Sequence, residues 1–369
     1  MLLSLVLWHC YRLWREKNDL LKLNFGEESS SFKSMRYSLS ALEAATNKFF
    51  QANKIGKGGF GEVYKGILPN GQVVAVKRLS KNSQQGSLEF KTEVLLISKL
   101  QHRNLVALVG FCLENQEKML IYEYLPNKSI DYFLFGSQEQ KISNWLERYK
   151  IIRGIAQGLL YLHEHSRFKI IHRDLKPSNI LFDNNMNPKI SDFGLAKMYA
   201  MDQNQESTSK IVGTHGYMAP ESLMYGEFSE KSDIFSFGVI ILEIISGKRN
   251  GSSDEPHLLI SHVWKQWQDG TALEILDPCL VRKSYSENEV LKCIQIGLLC
   301  VQANPNDRPP MENIILYLSN CNAATELKYP REPAFFTRGR RRDEPNLEVD
   351  SRWAQSSVNE MSESKLLPR

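Results

Sequence analysis

The sequence predicts an α+β fold in which a small sheet-rich unit precedes a larger helical one. Up to about Glu123 the chain carries β-branched runs, and Asn70-Gly71 between Val63–Ile67 and Gln72–Val76 is typical of a hairpin with a tight two-residue turn. Beyond Asn144 the apolar residues follow a helical period, at Trp145, Ile151, Ile152, Ile155, Leu159, Leu160 and Leu162. A length of 369 residues suits two to three domains or one two-lobed unit.

Composition excludes several classes of protein. With 42% hydrophobic and 24% charged residues, the chain is neither wholly disordered, collagen-like nor a multi-span membrane protein. A net charge of +4, without an interleaved basic and aromatic stripe, indicates no nucleic-acid partner. The six cysteines contain no C-x-x-C pair and are too sparse for a disulfide scaffold, which indicates a reducing compartment.

Five segments follow one another along the chain. Residues 1–17 join an apolar run of eight to Arg12, Arg15 and Lys17, like the inner end of a stop-transfer segment, although they are too short to span a bilayer alone. Either they form a partial transmembrane or juxtamembrane segment that associates with a membrane, or they form a packed N-terminal helix. Residues 18–50 are predicted to be a juxtamembrane linker with a short helix. The two lobes are predicted at 51–125 and 126–325, and 326–369 is predicted to be a disordered tail.

A glycine-rich stretch opens the sheet-rich unit. Residues 55 to 63 read I-G-K-G-G-F-G-E-V, which contains G-x-G-x-x-G, a weak signal by itself. In a dinucleotide fold such a loop opens a helix, whereas here strand, turn and strand follow. The glycines therefore favour a hairpin whose backbone lies over phosphates, with an ordinary glycine-rich hairpin as the alternative.

Five further motifs follow in a fixed order. They are Val74-Ala-Val-Lys77, Phe90-Lys-Thr-Glu93, the run from Ile170 through His172-Arg173-Asp174 to Leu181, Ser191-Asp192-Phe193-Gly194, and Ala219-Pro220-Glu221. In this order and spacing the sequence resembles the eukaryotic protein kinases. The resemblance implies a bilobal protein kinase fold, with a small β-rich N-lobe carrying one major helix and a larger α-helical C-lobe.

The resemblance also implies the catalytic and metal-binding residues. Lys77 would contact the ATP phosphates and pair with Glu93, Asp174 would accept the proton of the substrate hydroxyl, and Lys176 would steady the transferred phosphoryl group. Asn179 and Asp192 would bind Mg²⁺, with Mn²⁺ as an alternative, because hard cations prefer oxygen ligands. Arg308 would pair with Glu221.

The ATP-binding residues are implied in the same way. The glycine-rich loop, the third-strand lysine, a gatekeeper at Tyr122 and the connector after it would enclose the nucleotide. The set is Ile55, Gly56, Lys57, Gly58, Gly59, Phe60, Gly61, Glu62, Val63, Ala75, Lys77, Tyr122, Glu123, Leu125 and Leu181.

Acceptor type and regulation are read from two loops. Lys176-Pro177-Ser178 resembles serine/threonine kinases, so we expect protein Ser/Thr acceptors, including the chain itself. Thr214 is either a phosphorylation site or, as we favour, a hydroxyl that hydrogen-bonds Asp174 and Lys176. Arg173 is expected to dock a phosphate from the activation segment, where the candidate sites are Ser207, Thr208 and Ser209.

Within the kinases the closest resemblance is to plant receptor-like kinases of the cysteine-rich and S-domain type. It is carried by residues 37–49, by Leu100–Val106 and by Glu123–Ser129, among other stretches. It implies a kinase domain without its ectodomain, placed at the cytoplasmic face of the plasma membrane or, alternatively, in the cytosol, with receptor-like kinases as partners. A pseudokinase scaffold and a membrane-associated adaptor are the competing functions.

Overall fold

The computed structural model describes residues 33–58, 61–80, 84–137, 140–199, 206–207, 211–251, 259–281, 284–319 and 327–334. These residues form two compact units. The smaller contains 33–101 and 107–124, and the larger contains 102–106 and 125–334, within the described ranges. The predicted α+β class, with a sheet-rich smaller unit and a helical larger one, is confirmed.

The smaller unit is built on one antiparallel sheet of five strands in the order β1-β2-β3-β5-β4. Among the residues described in this unit, two α-helices accompany the sheet, α1 (Leu39–Ala45) and α2 (Gln84–Ile97). The strands are β1 (Lys54–Gly58), β2 (Gly61–Ile67), β3 (Val73–Leu79), β4 (Leu108–Glu114) and β5 (Glu117–Glu123).

Strand alternation gives this sheet two chemically different faces, because successive side chains point to opposite sides. Val74 and Val76 on β3 share one face with Met119 and Ile121 on β5, and all four are buried in one apolar cluster. Ala75 and Lys77 lie on the opposite face, where they pair with Tyr122 and Leu120. The face that carries Lys77 is therefore the one available for polar chemistry.

The segment before the first strand covers the apolar face. Ser38 caps α1 by accepting the backbone N–H of Ala41, and Leu42 is completely buried in the apolar cluster. Tyr37 N–H donates to the carbonyl of Phe111 on β4 at 2.9 Å. The last turn is held by Thr46, which is buried and bonded to the carbonyl of Leu42. Residues 37–49 thus contribute apolar side chains to the core of this unit.

The β2–β3 connection differs from the predicted two-residue turn. Leu68 N–H donates to Gln72 at 2.9 Å, so three residues, Pro69 to Gly71, form the loop. Gly71 has a φ of 81°, the left-handed conformation that closes such three-residue hairpins. In a two-residue turn at Asn70-Gly71, Pro69 would have to close the hairpin opposite Gln72, but proline has no backbone N–H to donate, so Leu68 closes it instead.

The larger unit contains eight α-helices among its described residues, one π-helical turn at Tyr161–His165 and three small sheets. The sheets are β6-β8-β9, β10-β7 and β11-β12. The helices are α3 (Ile130–Phe135), α4 (Trp145–Leu160), α5 (Pro220–Tyr225), α6 (Glu230–Ser246), α7 (Leu259–Gln268), α8 (Pro278–Val281), α9 (Glu287–Cys300) and α10 (Met311–Ser319). The strands are β6 (Asn127–Ser129), β7 (Lys169–Ile171), β8 (Ile180–Phe182), β9 (Pro188–Ile190), β10 (Lys197–Tyr199), β11 (Glu206–Ser207) and β12 (Glu227–Phe228).

Helix α6 is the centre of this unit. Every residue from Ser232 to Ser246 is buried, so the helix is surrounded by protein on all sides. Gly238 permits the close packing on α9, since a Cβ there would lie 2.5 Å from the Cβ of Cys300. Polar side chains on so apolar a helix need partners inside the protein.

Two short segments are joined to the larger unit by hydrogen bonds. Residues 102–106 belong to the larger unit, because Asn104 donates its side-chain amide to Pro188 and Val106 N–H donates to Ile190, both at 2.9 Å. Residues 327–334 lie against the end of α9, which differs from the disorder predicted for 326–369. There Gln302 exchanges two hydrogen bonds with the backbone of Arg331.

None of the helices among the described residues is long and apolar enough to cross a membrane. The candidate membrane segment, 1–17, lies outside the described residues.

Candidate active site

The smaller unit pairs Lys77 with Glu93. Lys77 on β3 and Glu93 on α2 form an ion pair at 2.8 Å, and the Glu93 side chain is completely buried. Tyr122 on β5 donates its hydroxyl to the second carboxylate oxygen of Glu93. A flexible lysine is thereby held in one orientation by a carboxylate that is itself held, the arrangement needed to present an ammonium to a phosphate group.

Val63, Ala75 and Tyr122, which are predicted to bind ATP, share that face. Val63 is directly opposite Lys77 across β2 and β3, and Ala75 is opposite Tyr122 across β3 and β5. Ile55 on β1 is 38% exposed and so remains accessible. Side chains that face one another across a sheet lie about 5 Å apart, so these apolar groups form one surface beside the ammonium.

At Gly61 in the glycine-rich hairpin a side chain does not fit. Gly61 has a φ of 150°, and a Cβ there would lie 2.1 Å from the carbonyl oxygen of Arg78. Next to it, Glu62 forms an ion pair with Lys54 and accepts the hydroxyl of Tyr64. These hydrogen bonds, chiefly the one from Lys54, hold the pKa of Glu62 below its ordinary value. Gly56, Lys57 and Gly58 lie on β1, and Gly59 and Phe60 lie outside the described residues.

In the larger unit the loop after β7 presents Asp174. Its carboxylate accepts from Lys176 Nζ at 2.9 Å and from the hydroxyl of Thr214 at 2.5 Å, and Lys176 Nζ also donates to that hydroxyl at 2.8 Å. Asn179 donates its side-chain amide to the Asp174 backbone carbonyl at 2.8 Å. Four of the predicted site residues therefore form one hydrogen-bonded group around a nearly buried carboxylate.

Asp192 is joined to the same loop through its neighbour. Ser191 donates both its backbone N–H and its hydroxyl to the carbonyl of Asn179, and His172 Nε2 lies 3.0 Å from the carbonyl of Ser191. Asp192 itself has a φ of 65°, a strained conformation for a residue with a side chain. Such strain persists only where neighbouring contacts over-determine it, as these do.

The side-chain oxygens of Asp192 and Asn179 suit a cation that also binds the phosphate oxygens of a nucleotide. The described residues contain no cluster of three or more His, Cys, Asp and Glu that could hold a metal ion alone. A carboxylate at Asp192 and an amide oxygen at Asn179 are hard donors. Mg²⁺ is commonly bound by one or two carboxylates together with phosphate oxygens and water, so this donor set fits it.

Asp233 anchors the Asp174 loop, although the sequence analysis gave it no role. From α6 its carboxylate accepts the backbone N–H groups of His172 at 2.7 Å and Arg173 at 2.9 Å, and His163 lies 3.0 Å away. Burial opposes ionisation, but the hydrogen bond and charge of His163 outweigh it and hold the pKa of Asp233 below its ordinary value. The sequence signal that could have identified Asp233 is a charged residue within a helix apolar enough to be fully buried.

Some of the predicted regulatory residues lie outside the residues that the structure describes. Arg173 places its guanidinium 3.9 Å from the ring centre of Phe228, beside a small cavity that Ile211 and Met218 also line. Thr214 has its hydroxyl between Asp174 and Lys176, as described above. The backbone of Ser207 belongs to β11, whereas Thr208 and Ser209 lie outside the described residues.

The remaining predicted residues lie in both units. Glu123 accepts the backbone N–H of Ala107 at 2.8 Å in the smaller unit, and Leu125 and Leu181 are half-buried in the larger one. Arg308 pairs with Glu221 through two hydrogen bonds of 2.7 and 2.9 Å, so the first turn of α5 is fixed to the segment between α9 and α10.

The combination of a five-stranded sheet bearing a lysine–glutamate pair and a helical unit bearing this aspartate loop defines the protein kinases. The protein kinase domain model matches residues 49–317, and the chain belongs to that family. Members of the family use ATP and a divalent cation and act on proteins.

Its relatives include receptor-like kinases of Arabidopsis thaliana. This chain is 51% identical to cysteine-rich receptor-like protein kinase 10, and the alignment covers 93% of this chain and 52% of that protein. It is 52% identical to a G-type lectin S-receptor-like serine/threonine-protein kinase over 91% of this chain and 40% of that protein. Cysteine-rich receptor-like protein kinase 8 is 54% identical over 84% of this chain and 46% of its own length. The chain thus spans about half the length of the curated relatives it matches.

Proposed function

We propose that this chain transfers the γ-phosphoryl group of ATP to serine and threonine hydroxyls of proteins, including its own. The observation that carries the proposal is the Asp174 carboxylate, held by Lys176 and Thr214 in a loop that Asp233 anchors. Phosphoryl transfer asks the protein mainly for alignment and charge neutralisation, and a fixed carboxylate beside an ammonium meets that need.

Each residue then has a definite task. Asp174 orients the acceptor hydroxyl and accepts its proton, while Lys176 neutralises charge that develops on the transferred group. Lys77, fixed by Glu93, binds the phosphates of ATP. Asn179 and Asp192 hold Mg²⁺, with Mn²⁺ as an alternative, which supplies further charge neutralisation when it is bound.

The Ser/Thr class is supported by two features. Lys176 follows Asp174 at a spacing of two, and its ammonium joins the Thr214 hydroxyl to the carboxylate. A relative with 52% identity is itself named a serine/threonine-protein kinase.

Activation-segment phosphorylation is proposed to regulate this activity. The guanidinium of Arg173 lies one residue from Asp174 and beside a cavity, where a phosphate on Ser207, Thr208 or Ser209 can dock. Such a phosphate would add a new contact directly next to the anchored loop. Mapping of phosphorylated sites in the active chain tests this point, and an active chain without phosphate in residues 200–211 contradicts it.

Location and partners are proposed from the relatives. Because they are named receptor-like kinases, we place the chain at the cytoplasmic face of the plasma membrane, in contact with other receptor-like kinases, with the cytosol as the alternative. Fractionation of cells expressing the chain with and without residues 1–17 tests the placement. Membrane recovery that depends on 1–17 supports it, and recovery of the full chain in the soluble fraction alone favours the cytosol.

The activity is tested by transfer of labelled γ-phosphate from ATP to casein and to the chain itself. Lys77→Met and Asp174→Asn should each lower transfer at least 100-fold, because loss of one preorganised charge costs roughly 3 kcal/mol or more in the barrier. Lys91→Met and Asp269→Asn are matched controls, since both residues are exposed. A thermal shift with Mg-ATP but no transfer by the wild type indicates a pseudokinase scaffold.

A further inference from the structure

The turn that follows α1 is left-handed at three consecutive residues. Asn47, Lys48 and Phe49 have φ values of 52°, 55° and 55°. Such a conformation is uncommon for residues other than glycine, and for a side chain as bulky as that of Phe49 it is an outlier. Thr46 stabilises the turn, since its hydroxyl accepts the backbone N–H of Phe49 at 3.1 Å. Strained backbone persists only where other contacts over-determine it, so the contacts of Phe49 indicate what the strain serves.

The strained turn places the ring of Phe49 against two side chains of the sheet. The ring meets that of Tyr64 on β2 edge to face, with the ring centres 5.5 Å apart. The guanidinium of Arg78 on β3 lies 4.6 Å from the centre of the Phe49 ring. Both contacts depend on an aromatic ring, because its face is negative and its edge is positive. The neighbouring Phe50, by contrast, is 57% exposed.

These contacts lie on the sheet face opposite Lys77. Across β2 and β3, Tyr64 is paired with Val76 and Glu62 with Arg78, so these residues share the face of the apolar cluster. The phenylalanine ring therefore supports the β1–β2 hairpin from the side away from the Lys77 ammonium.

Hydrogen bonds continue from the ring pair into both strands of the hairpin. Tyr64 donates its hydroxyl to Glu62 Oε2 at 2.5 Å, and Glu62 forms an ion pair with Lys54 at the start of β1. Just before β1, Asn53 donates its side-chain amide to the carbonyl of Thr46 at 3.0 Å. The left-handed turn is thus joined to β1 and to β2.

Arg78 connects the same support to the base of the hairpin. Its guanidinium forms two hydrogen bonds with Glu117 on β5, at 2.9 and 2.6 Å, so the side chain is fixed between β5 and the ring of Phe49. Its backbone carbonyl lies against Gly61, where an added Cβ would approach the oxygen to 2.1 Å. Glycines leave such a hairpin many conformations, and ordering it costs entropy when a ligand binds. A hairpin that is fixed in advance avoids part of that cost.

We infer that Phe49 is a positioning residue for the nucleotide: through Tyr64 and Arg78 it holds the β1–β2 hairpin in the conformation that binds ATP. The inference rests on the proposed kinase function. It assigns Phe49 no contact with ATP and no part in binding the protein acceptor, so the effect of the residue falls on the KM for ATP alone.

The test measures the KM values for ATP and for casein in separate titrations. Phe49→Leu keeps an apolar side chain without the ring and should raise the KM for ATP about three- to ten-fold, with the KM for casein within about two-fold of wild type. Phe49→Tyr keeps the ring and should leave both KM values within about two-fold of wild type. Phe50→Leu is the matched control, because it makes the same change at the exposed neighbouring position.

Tyr64→Phe tests the next contact and decides the matter if Phe49→Leu does not fold. It keeps the ring and removes the hydroxyl that donates to Glu62, so the KM for ATP should again rise while the KM for casein does not. The inference is overturned if Phe49→Leu leaves the KM for ATP unchanged, raises both KM values equally or acts no more strongly than Phe50→Leu. A Tyr64→Phe chain with the wild-type KM for ATP overturns it as well. A wild-type chain without transfer activity refutes the proposed function instead.

Discussion

The carboxylate of Asp233 on α6 accepts the backbone N–H of Arg173, one residue before Asp174, at 2.9 Å. Arg173 has a φ of 69°, a conformation that costs a non-glycine residue about 1–3 kcal/mol. A buried carboxylate sixty residues away in sequence thus holds the strained backbone that presents Asp174.

Replacement of Asp233 by asparagine should therefore affect stability and activity together. The amide can accept from only one oxygen, so one backbone N–H loses its partner, and unfolding should become easier by about 1–3 kcal/mol. Urea unfolding and phosphate transfer measure the two effects, with Asp269→Asn as the exposed control. Stability and transfer rates equal to those of wild type would show that the Asp174 loop does not depend on Asp233.

Tyr122→Phe tests the support of the lysine–glutamate pair. The change removes the hydroxyl that donates to Glu93 and leaves the ion pair with Lys77 intact. We expect a KM for ATP that rises about two- to ten-fold, since one hydrogen bond to a charged group is lost, with a KM for casein close to wild type. Initial-rate kinetics in ATP measure the change, and an unaltered KM for ATP contradicts the role given to Tyr122.

Thr214 distinguishes two functions of one hydroxyl. Thr214→Ala removes the group that links Lys176 and Asp174, so kcat should fall about 10- to 100-fold, while Thr214→Ser restores the hydroxyl and most of the rate. If Thr214 acts instead as a phosphorylation site, mass spectrometry of the active chain will find phosphate on it. Equal kcat for the alanine and serine variants argues against the hydrogen-bonding role.

Glu243 should make the stability of the folded chain depend on pH. Burial raises the pKa of Glu243 to about 8, from an ordinary value of 4.5. Between these values the folded chain keeps a proton that the unfolded chain has lost, so this residue's contribution to the free energy of unfolding falls as pH rises from 4.5 to 8 and is level above 8.

The measurement compares wild type with Glu243→Gln by urea unfolding at several pH values. Glutamine does not titrate. The free energy of unfolding of the wild type should therefore decrease steadily, relative to that of the Glu243→Gln variant, as the pH rises from about 5 to about 8. Asp269→Asn, at an exposed position, should give no such trend. A difference that is constant over this range would refute the raised pKa.

The segment 327–334 should contribute to stability although it lies beyond the matched kinase region. Gln302 and the backbone of Arg331 exchange two hydrogen bonds, and Ala334 N–H donates to Val301 at 3.1 Å. A chain that ends after Leu327 should lose about 1–3 kcal/mol of unfolding free energy, whereas a chain that ends after Phe335 should not. Thermal unfolding of the two truncated chains decides it, and equal midpoints contradict the prediction.

The sequence by itself determined the order of elements and the identity of the residues that carry charge at the site. Lys77, Glu93, Asp174, Asn179 and Asp192 were identifiable because each lies in a short motif, and because the order and spacing of these motifs resemble those of the protein kinases. The sequence pattern nevertheless predicted a two-residue turn at Asn70-Gly71, whereas the structure has a three-residue loop, Pro69–Gly71.

Only the tertiary structure decided which distant groups hold those residues. Asp233 and Glu243 are ordinary residues in sequence, and the contacts of their carboxyl groups arise because a buried helix passes beneath two loops. Residues 33–49 and 327–334 likewise gained their place from surfaces made elsewhere in the chain. Residues 26 to 77 positions apart come into contact because side chains pack and buried polar groups need hydrogen-bond partners. Neither requirement produces a periodic pattern in the sequence.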